Sequence, residues 1–411
     1  MILDSFRSDF EALDRMGGPL QALRRAGFER FLAHGLPTTQ QEAWRFTNLK
    51  PLEQRSFALG RPSRNGIASV TGGIAPGLVF VHGHYRKDLS AKPEGVEVTN
   101  LAEALRSPGV VERVGAAGEG EPFVALNTAF LEDGAFLRVR KGFRLPVPLH
   151  LLFLGTTKAA HPRNLYVIEE GAEADVVETY LSAGETPHLT NAVSEIHLAQ
   201  GAKLSHYRLQ LEGASYHFGT VRARLERDAR LVSHNIACGG ALTRNEIVAA
   251  LDGENAHCTL NGLTLIRGTQ HVDNYTRLEH RKPHCESHEL YKGVLDGQAS
   301  GVFTGKIHVF PDAQKTDAYQ ASANLLLTDT ATVDAQPQLE IYADDVKCSH
   351  GSTVGQLDKD ALFYLRSRGL KEAAARHVLV RAFAGDVADR ILIPAVRQRV
   401  DAILAERLGG E

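Results

Sequence analysis

The sequence predicts a mainly β chain, a parallel β-solenoid core held between helical ends. Three observations predict it. Between about residues 163 and 346, short β-prone runs alternate with Gly, Asp and Asn turns in a loose repeat. The phrases EEGAEADVV, AQGAKLSHY, ERDARLVSH, DGENAHCTL, LDGQASGVF and TDTATVDAQ each place a turn before a small residue and a strand. Those small residues are Ala172, Ala202, Ala229, Ala256, Ala299 and Ala331, at intervals of 30, 27, 27, 43 and 32, a period typical of stacked coils. Within the runs polarity alternates. Val221, Ala223 and Leu225 oppose Thr220, Arg222, Arg224 and Glu226, and Ile247, Ala249 and Leu251 repeat the pattern, as strands packed around a shared interior require. Outside this region the apolar spacing changes to that of helices.

From the start, Phe6, Phe10 and Leu13, then Leu20 and Leu23, then Phe28, Phe31 and Leu32 recur at helical spacing, with Gly17, Gly18 and Pro19 between two helices. TTQQEAWRFTNLKPL follows and carries the chain's one Trp, Trp44. Residues 1–77 read as an N-terminal helical domain whose end, 61–78, is rich in Gly, Pro and Ser and looks like a linker. Residues 78–160 read as a mixed α/β entry segment. GLVFVHGHY is a strand, NLAEALRS a short helix, EPFVALNTAFLEDG helical, and AFLRVRKGFRLPVPLHLLFLG strands again. Residues 161–356 form the solenoid core. Its one long repeat interval contains HVDNYTRLEHRKPHCESHE, which reads as an insertion. Residues 357–411 form a C-terminal helical domain. Asp358 is placed to N-cap a helix with Leu362, Phe363 and Leu365, and Gly369 to end it. A second helix carries Val378, Ala382 and Phe383 and ends at Gly385. Pro394 opens a third with Val396, Val400, Ile403 and Leu404 on one face. These short amphipathic helices must pack on the solenoid or on another chain. An open coil end must likewise be covered, by the non-repetitive termini or by a second solenoid.

Composition excludes several classes. Among 411 residues no run approaches the roughly 20 apolar residues of a membrane helix. The opening MILDSFRSDFEALD has early acids and no apolar core, so no secretory signal is expected and the cytoplasm is the expected location. A net charge of −3 with charges of both signs argues against a dedicated nucleic-acid binder. GxGxxG after a first strand, GxxxxGK[ST], HExxH and GxSxG are absent. A carbohydrate-cleaving solenoid would need paired carboxylates. Asp344 and Asp345 are adjacent, and on a strand they would face opposite ways.

Four cysteines are present, Cys238, Cys258, Cys285 and Cys348, none in a CxxC pair. Cys238 and Cys258 sit in apolar runs and read as small buried hydrophobes. Cys348 and His350 are different. They lie one residue apart where a strand meets a Gly/Ser/Thr turn and a helix, and residues i and i+2 of a strand share a face. A thiolate and an imidazole there could bind one soft centre, but two ligands leave a site unfinished. His284, Cys285 and His288 in HCESH form a second cluster, whose spacing fits no common structural zinc pattern and reads as loop polarity. His271, His280 and His308 fall in β segments and read as structural.

ADDVKCSHGSTVGQLDKDALFYLRSRG, together with GVFTGKIHVFPDAQKTDAYQASANLLL, HRKPHCESHELYKGVLDG, PQLEIYADDVKCSHG and EAWRFTNL, resembles the SufB/SufD family of scaffold subunits in Suf iron–sulfur cluster assembly. The resemblance runs from about Thr38 to the C-terminus and is most specific in residues 270–370. Cys-Ser-His-Gly fits the SufD side. The SufB side typically has an acidic residue after the matching His and a longer chain richer in cysteine. The resemblance implies a right-handed parallel β-helix between helical domains and a non-enzymatic scaffold. It implies pairing with SufB through the β-helices, and the SufC ATPase on C-terminal helices around Leu365 to Ile393. A transient iron–sulfur cluster would form at the SufB–SufD interface, with none stably held by the isolated chain. The implicated position maps onto His350, and Cys348 is the nearby family cysteine. An exposed coil edge also allows a homodimer. Two other readings remain: a SufB-like subunit that receives sulfur directly, and a stand-alone metal-binding solenoid that uses the HCESH segment.

Overall fold

The computed structural model describes residues 1–62, 74, 77–91, 97–115 and 121–408. Most of the linker expected over 61–78 lies outside them. Two ten-stranded sheets form the body, and nearly all their pairings are parallel and skip one strand in sequence. The chain therefore winds from one sheet to the other and back, coil on coil. The first sheet starts at the edge strand His84–Tyr85, continues through Leu78–Val81 and Leu149–Gly155, all ahead of residue 161, and ends at Lys347–Gln356. The second ends at Thr332–Ile341.

The repeat has a structural cause. Gly171, Gly201, Asp228, Asn255, His284 and Lys315 all have φ between 57° and 67°. Each bends the chain into the first sheet, and the residue after it, Ala172, Ala202, Ala229, Ala256, Cys285 or Thr316, tucks inside the coil. Four of these left-handed positions are not glycine, although Asp, Asn and His tolerate that region better than most residues.

The expected insertion is therefore absent. HVDNYTRLEHRKPHCESHE is a regular half-coil and turn, with the strand His271–His280 leading into Glu286–Leu295. Cys285 occupies the place of the missing alanine, while Ala299 and Ala331 belong to the opposite turn of the coil. Substitution of Ala by Cys at one turn, together with a change of turn, produced the long interval.

Adjacent turns stack tightly. A Cβ at Gly253 would fall 1.9 Å from the Arg227 nitrogen and 2.2 Å from the Glu226 carbonyl carbon. Backbone cannot rotate away as a side chain can. Gly253→Ala is expected to cost about 1–3 kcal/mol of stability, measured by urea denaturation. An unchanged midpoint would show that the coils can spread.

The helices lie along the sheets rather than over the coil ends. Helices α1 (Ile2–Arg15) and α2 (Gln21–His34) bury Phe6, Phe10, Leu13 and Phe31 with Phe123 of α3 (Pro122–Ala129) and with Leu189, Tyr216 and Phe218 of the second sheet. Leu32, expected on this stripe, is exposed. Trp44 is buried, with the Arg244 guanidinium 4.0 Å from its ring centroid. At the other end, α4 (Lys359–Ser367), α5 (Glu372–Ala388) and α6 (Pro394–Leu408) follow the last strand. Asp358 caps α4 by accepting from the Asp360 and Ala361 amides, and Gly369 follows it at φ 93°.

Helix α5 differs from its expectation. It runs through Gly385, and it buries Ala375, Val380, Ala384, Val387 and Ala388 while Val378 is exposed. One interior glycine costs a helix about 1 kcal/mol, less than burial of the following Val387 returns. Val396, Val400, Ile403 and Leu404 of α6 are all buried as expected, and with α5 they cover Tyr207, Leu209, Leu263 and Val294 on the outer face of the first sheet. Lys292 of that sheet pairs with Asp386 and lies under Phe383 of α5. The expectation that the termini cap the coil fails, because their apolar stripes match the apolar outer faces. Among the described residues nothing covers the last coil.

Candidate functional site at the open end of the solenoid

The final strand enters through a turn that carries Asp344 and Asp345. These two acids are in the turn and not on a strand. Asp345 pairs with Lys315, its amide donates to Gln314 Oε1 at 3.0 Å, and its carbonyl accepts from the Lys315 amide at 2.6 Å. The Lys347 amide donates to the Thr316 carbonyl at 2.8 Å, which sets the register of the strand. Lys347–Gln356 then pairs on one side only, with Asp317–Leu326.

Register fixes what each residue faces. Ala174, Leu204, Leu231, Cys258, Ser287, Ala318 and Cys348 form one row across the first sheet. The first six are buried in the solenoid interior, so Cys348 faces the same way. Two residues on, Val176, His206, Ser233, Leu260, Glu289, Gln320 and His350 form the next inward row. Cys348 and His350 thus share the inward face of the last coil, with Cα atoms about 6.6–6.8 Å apart. Among the described residues no further coil covers them. Cys348 is half-buried against the core, and His350 is exposed. Burial, helped by the nearby Asp317 carboxylate, pushes the Cys348 thiol above its ordinary pKa. The resting group is a thiol, and an arriving metal or cationic group would have to draw the proton off. Tyr319, Ile341, Tyr342 and Val354 are exposed around the same end, beside the unpaired edges of both sheets.

The second cluster does not assemble. His284 is the left-handed turn residue, Cys285 is fully buried with its Sγ 3.2 Å from the Gly253 carbonyl oxygen, and His288 is exposed on the outer face of the strand. Burial pushes the Cys285 thiol up to about 11. Among the described residues no three His, Cys, Asp or Glu side chains are grouped as a metal would need. Cys238 and Cys258 are buried, as expected. His271 bonds Ser300 Oγ at 2.7 Å, His280 bonds Ser287 Oγ at 2.8 Å, and His308 bonds Glu340 at 2.8 Å.

Sequence reasoning missed the polar half of the interior. Glu178 accepts from Tyr166, Tyr180, Ser194 and His206 at 2.7–3.1 Å, and Glu212 accepts from Thr190, Gln210, His188 and His217. Burial alone would raise the Glu178 carboxyl, but the charges and donors of His206, Arg208 and Ser194 hold it far below the usual range. The signal was present in SHYRLQ, where His206, Arg208 and Gln210 alternate with apolar residues. Without the stacking register, that alternation reads equally well with the polar side out.

Glu289 is the buried acid nearest the open end of its row. Its carboxylate accepts from Thr276 Oγ1 at 2.6 Å and from Gln320 Nε2 at 3.0 Å. Burial outweighs these donors and raises it to about 7. The folded chain therefore keeps a proton that the unfolded chain releases above about pH 4.3. Stability falls as pH rises from there through about 7, then levels. Glu289→Gln is expected to remove this slope and to exceed the parent by up to about 4 kcal/mol at pH 8. Urea denaturation at pH 5 and pH 8 checks it, and an equal difference at both would contradict it.

Residues 153–383 match the family model described as SUF system FeS cluster assembly, SufBD core domain. The chain belongs to the SufBD family. The matched span covers most of the solenoid, including Cys348 and His350, and ends within α5. The chain is 34% identical over 396 residues to the iron–sulfur cluster assembly protein SufD of Escherichia coli K12, covering 93% of this chain and 92% of that one. It is 33% identical over 390 residues to the iron–sulfur cluster assembly SufBD family protein slr0076 of Synechocystis, covering 89% and 86%. It is 28% identical over 412 residues to the chloroplastic protein ABCI7 of Arabidopsis thaliana, covering 95% and 86%. Similarity over nearly the whole of each chain extends past the core to both helical ends. Among the described residues no helix is long and apolar enough to cross a membrane.

Proposed function

We propose that this SufBD-family chain is a non-catalytic scaffold subunit for iron–sulfur cluster assembly, with His350 as its ligand to the nascent cluster and Cys348 as a weaker second candidate. One observation carries the reading. The two soft donors share the inward face of a last coil that nothing among the described residues covers. Two donors cannot close a coordination shell, and a second solenoid stacked on the open edges would bring the missing ones. In this reading the cluster is cargo, the partner is a SufB-type subunit and the site is transient. An imidazole holds iron less firmly than a thiolate, which suits later release. Sulfur delivered directly to Cys348 is the secondary reading, and the raised thiol pKa disfavours it at rest.

The division at 1–77, 78–160, 161–356 and 357–411 remains our functional partition, with the last segment as the platform for a SufC-type ATPase. Phe363, Tyr364, Val378 and Leu392 are exposed there and are the apolar contacts such a partner would use. A nucleotide cycle that moves these helices would pull on the first sheet through Lys292 and Asp386. The setting is cytoplasmic. The test is co-expression with SufB-type and SufC-type chains, then anaerobic iron–sulfur reconstitution. A stable three-component complex that takes up iron and sulfide is expected. A chain that purifies alone and loads stoichiometric metal by itself would sink the reading.

A further inference from the structure

Gln320 stands between Glu289 and His350 in one inward row of the first sheet. In-register residues of neighbouring strands lie about 4.8 Å apart, so the three are successive neighbours in the row. Gln320 is fully buried. Its Nε2 donates to Glu289 Oε1, and the strand Ser300–Val309 makes room for this amide at Gly305, where an added Cβ would fall 2.2 Å from Nε2. That bond fixes which end of the amide is which once Glu289 is ionised, above about pH 7, because a carboxylate can only accept. Gln320 Oε1 is then left buried with no hydrogen-bond partner. A buried acceptor without a donor is costly, and the next residue in the row offers a donor.

We propose that Gln320 is a positioning residue for His350, its Oε1 accepting the ring N–H that faces into the solenoid. The opposite ring nitrogen then carries the lone pair and faces the open end. Metal-binding imidazoles as a rule donate their other N–H to a fixed acceptor, which sets tautomer and ring plane. Glu289 acts one step further back, by holding the amide in its present orientation. The ligand role of His350 is taken from the reading above, but the pairing itself concerns only this chain.

The test is a ring nitrogen spectrum of the full chain labelled with ¹⁵N-histidine, with no metal or cluster added, at about pH 8.5, where ordinary imidazoles are neutral. The His350 signals are assigned by their loss in His350→Ala. One tautomer is expected to dominate in the parent. Gln320→Leu is expected to shift the ratio of the two tautomers by about three- to tenfold, the weight of one neutral hydrogen bond. Glu289→Gln, which lets the amide turn over, is expected to shift it less and in the same direction. The buried His206 and His217 signals report that each variant is folded, and Glu289→Gln decides if the Leu variant is not. A His350 ratio unchanged in the folded variants overturns the pairing. Full cluster loading by His350→Ala would instead remove the ligand role and leave the tautomer result standing.

Discussion

Replacing His350 with Ala is expected to reduce iron and sulfide uptake by the reconstituted three-subunit complex at least about tenfold, the usual penalty for losing a metal-site group. The fold should not change. His350 is exposed on a strand that pairs on one side only, and substitutions at such positions usually cost under about 0.5 kcal/mol. The thermal midpoint of the isolated chain should therefore match that of the parent, which separates loss of a ligand from loss of structure. Cys348→Ala is the contrasting case. Its side chain packs against the core, so some destabilisation is expected together with a smaller loss of loading. Undiminished iron and sulfide in the His350→Ala complex would count against the site.

Replacing Phe363 with Asp is expected to weaken binding of a SufC-type ATPase by roughly 30-fold or more, as truncation of an aromatic anchor at an interface centre does. Phe363 is 74% exposed and Tyr364 56% exposed on α4, which buries no residue of its own. A helix that presents its aromatic side chains to solvent is held by its cap more than by packing, and is free to receive a partner. The same substitution should leave pairing with a SufB-type chain intact, because the surface proposed for that pairing is the coil end. Calorimetric titration of the ATPase against parent and variant checks the affinity, and gel filtration with the SufB-type chain checks the other surface. Equal affinity of both forms for the ATPase would move the contact elsewhere on the C-terminal helices.

The solenoid was legible because its signals are local. Alternation in Val221 to Leu225 and Ile247 to Leu251 reports an inward face whatever the neighbours do, and the structure buries those residues in the shared interior. The exact repeat was not legible, because the conserved property is a left-handed backbone at the turn and not a residue type. His284 and Lys315 do there what Gly171 does, and Cys285 replaces alanine behind one of them. That substitution made a regular coil look like an insertion and a structural turn look like a metal cluster. The helical ends were visible from their spacing, but not the surface they cover, since an apolar stripe fits an outer sheet face as well as a coil end. Cys348 and His350 were legible as a pair sharing a face. Their place in rows that end at the last coil, and Gln320 behind His350, required the register between strands 30 residues apart.

In the proposed assembly the His350 imidazole completes a cluster site that a partner closes over the open end of the solenoid. Pulsed electron paramagnetic resonance of the reduced, reconstituted complex tests it most directly, with ¹⁵N-histidine confined to this subunit. A ¹⁵N coupling to the cluster that disappears in His350→Ala is the predicted result. A cluster with no nitrogen coupling from this chain, or one that persists unchanged in the variant, would contradict it.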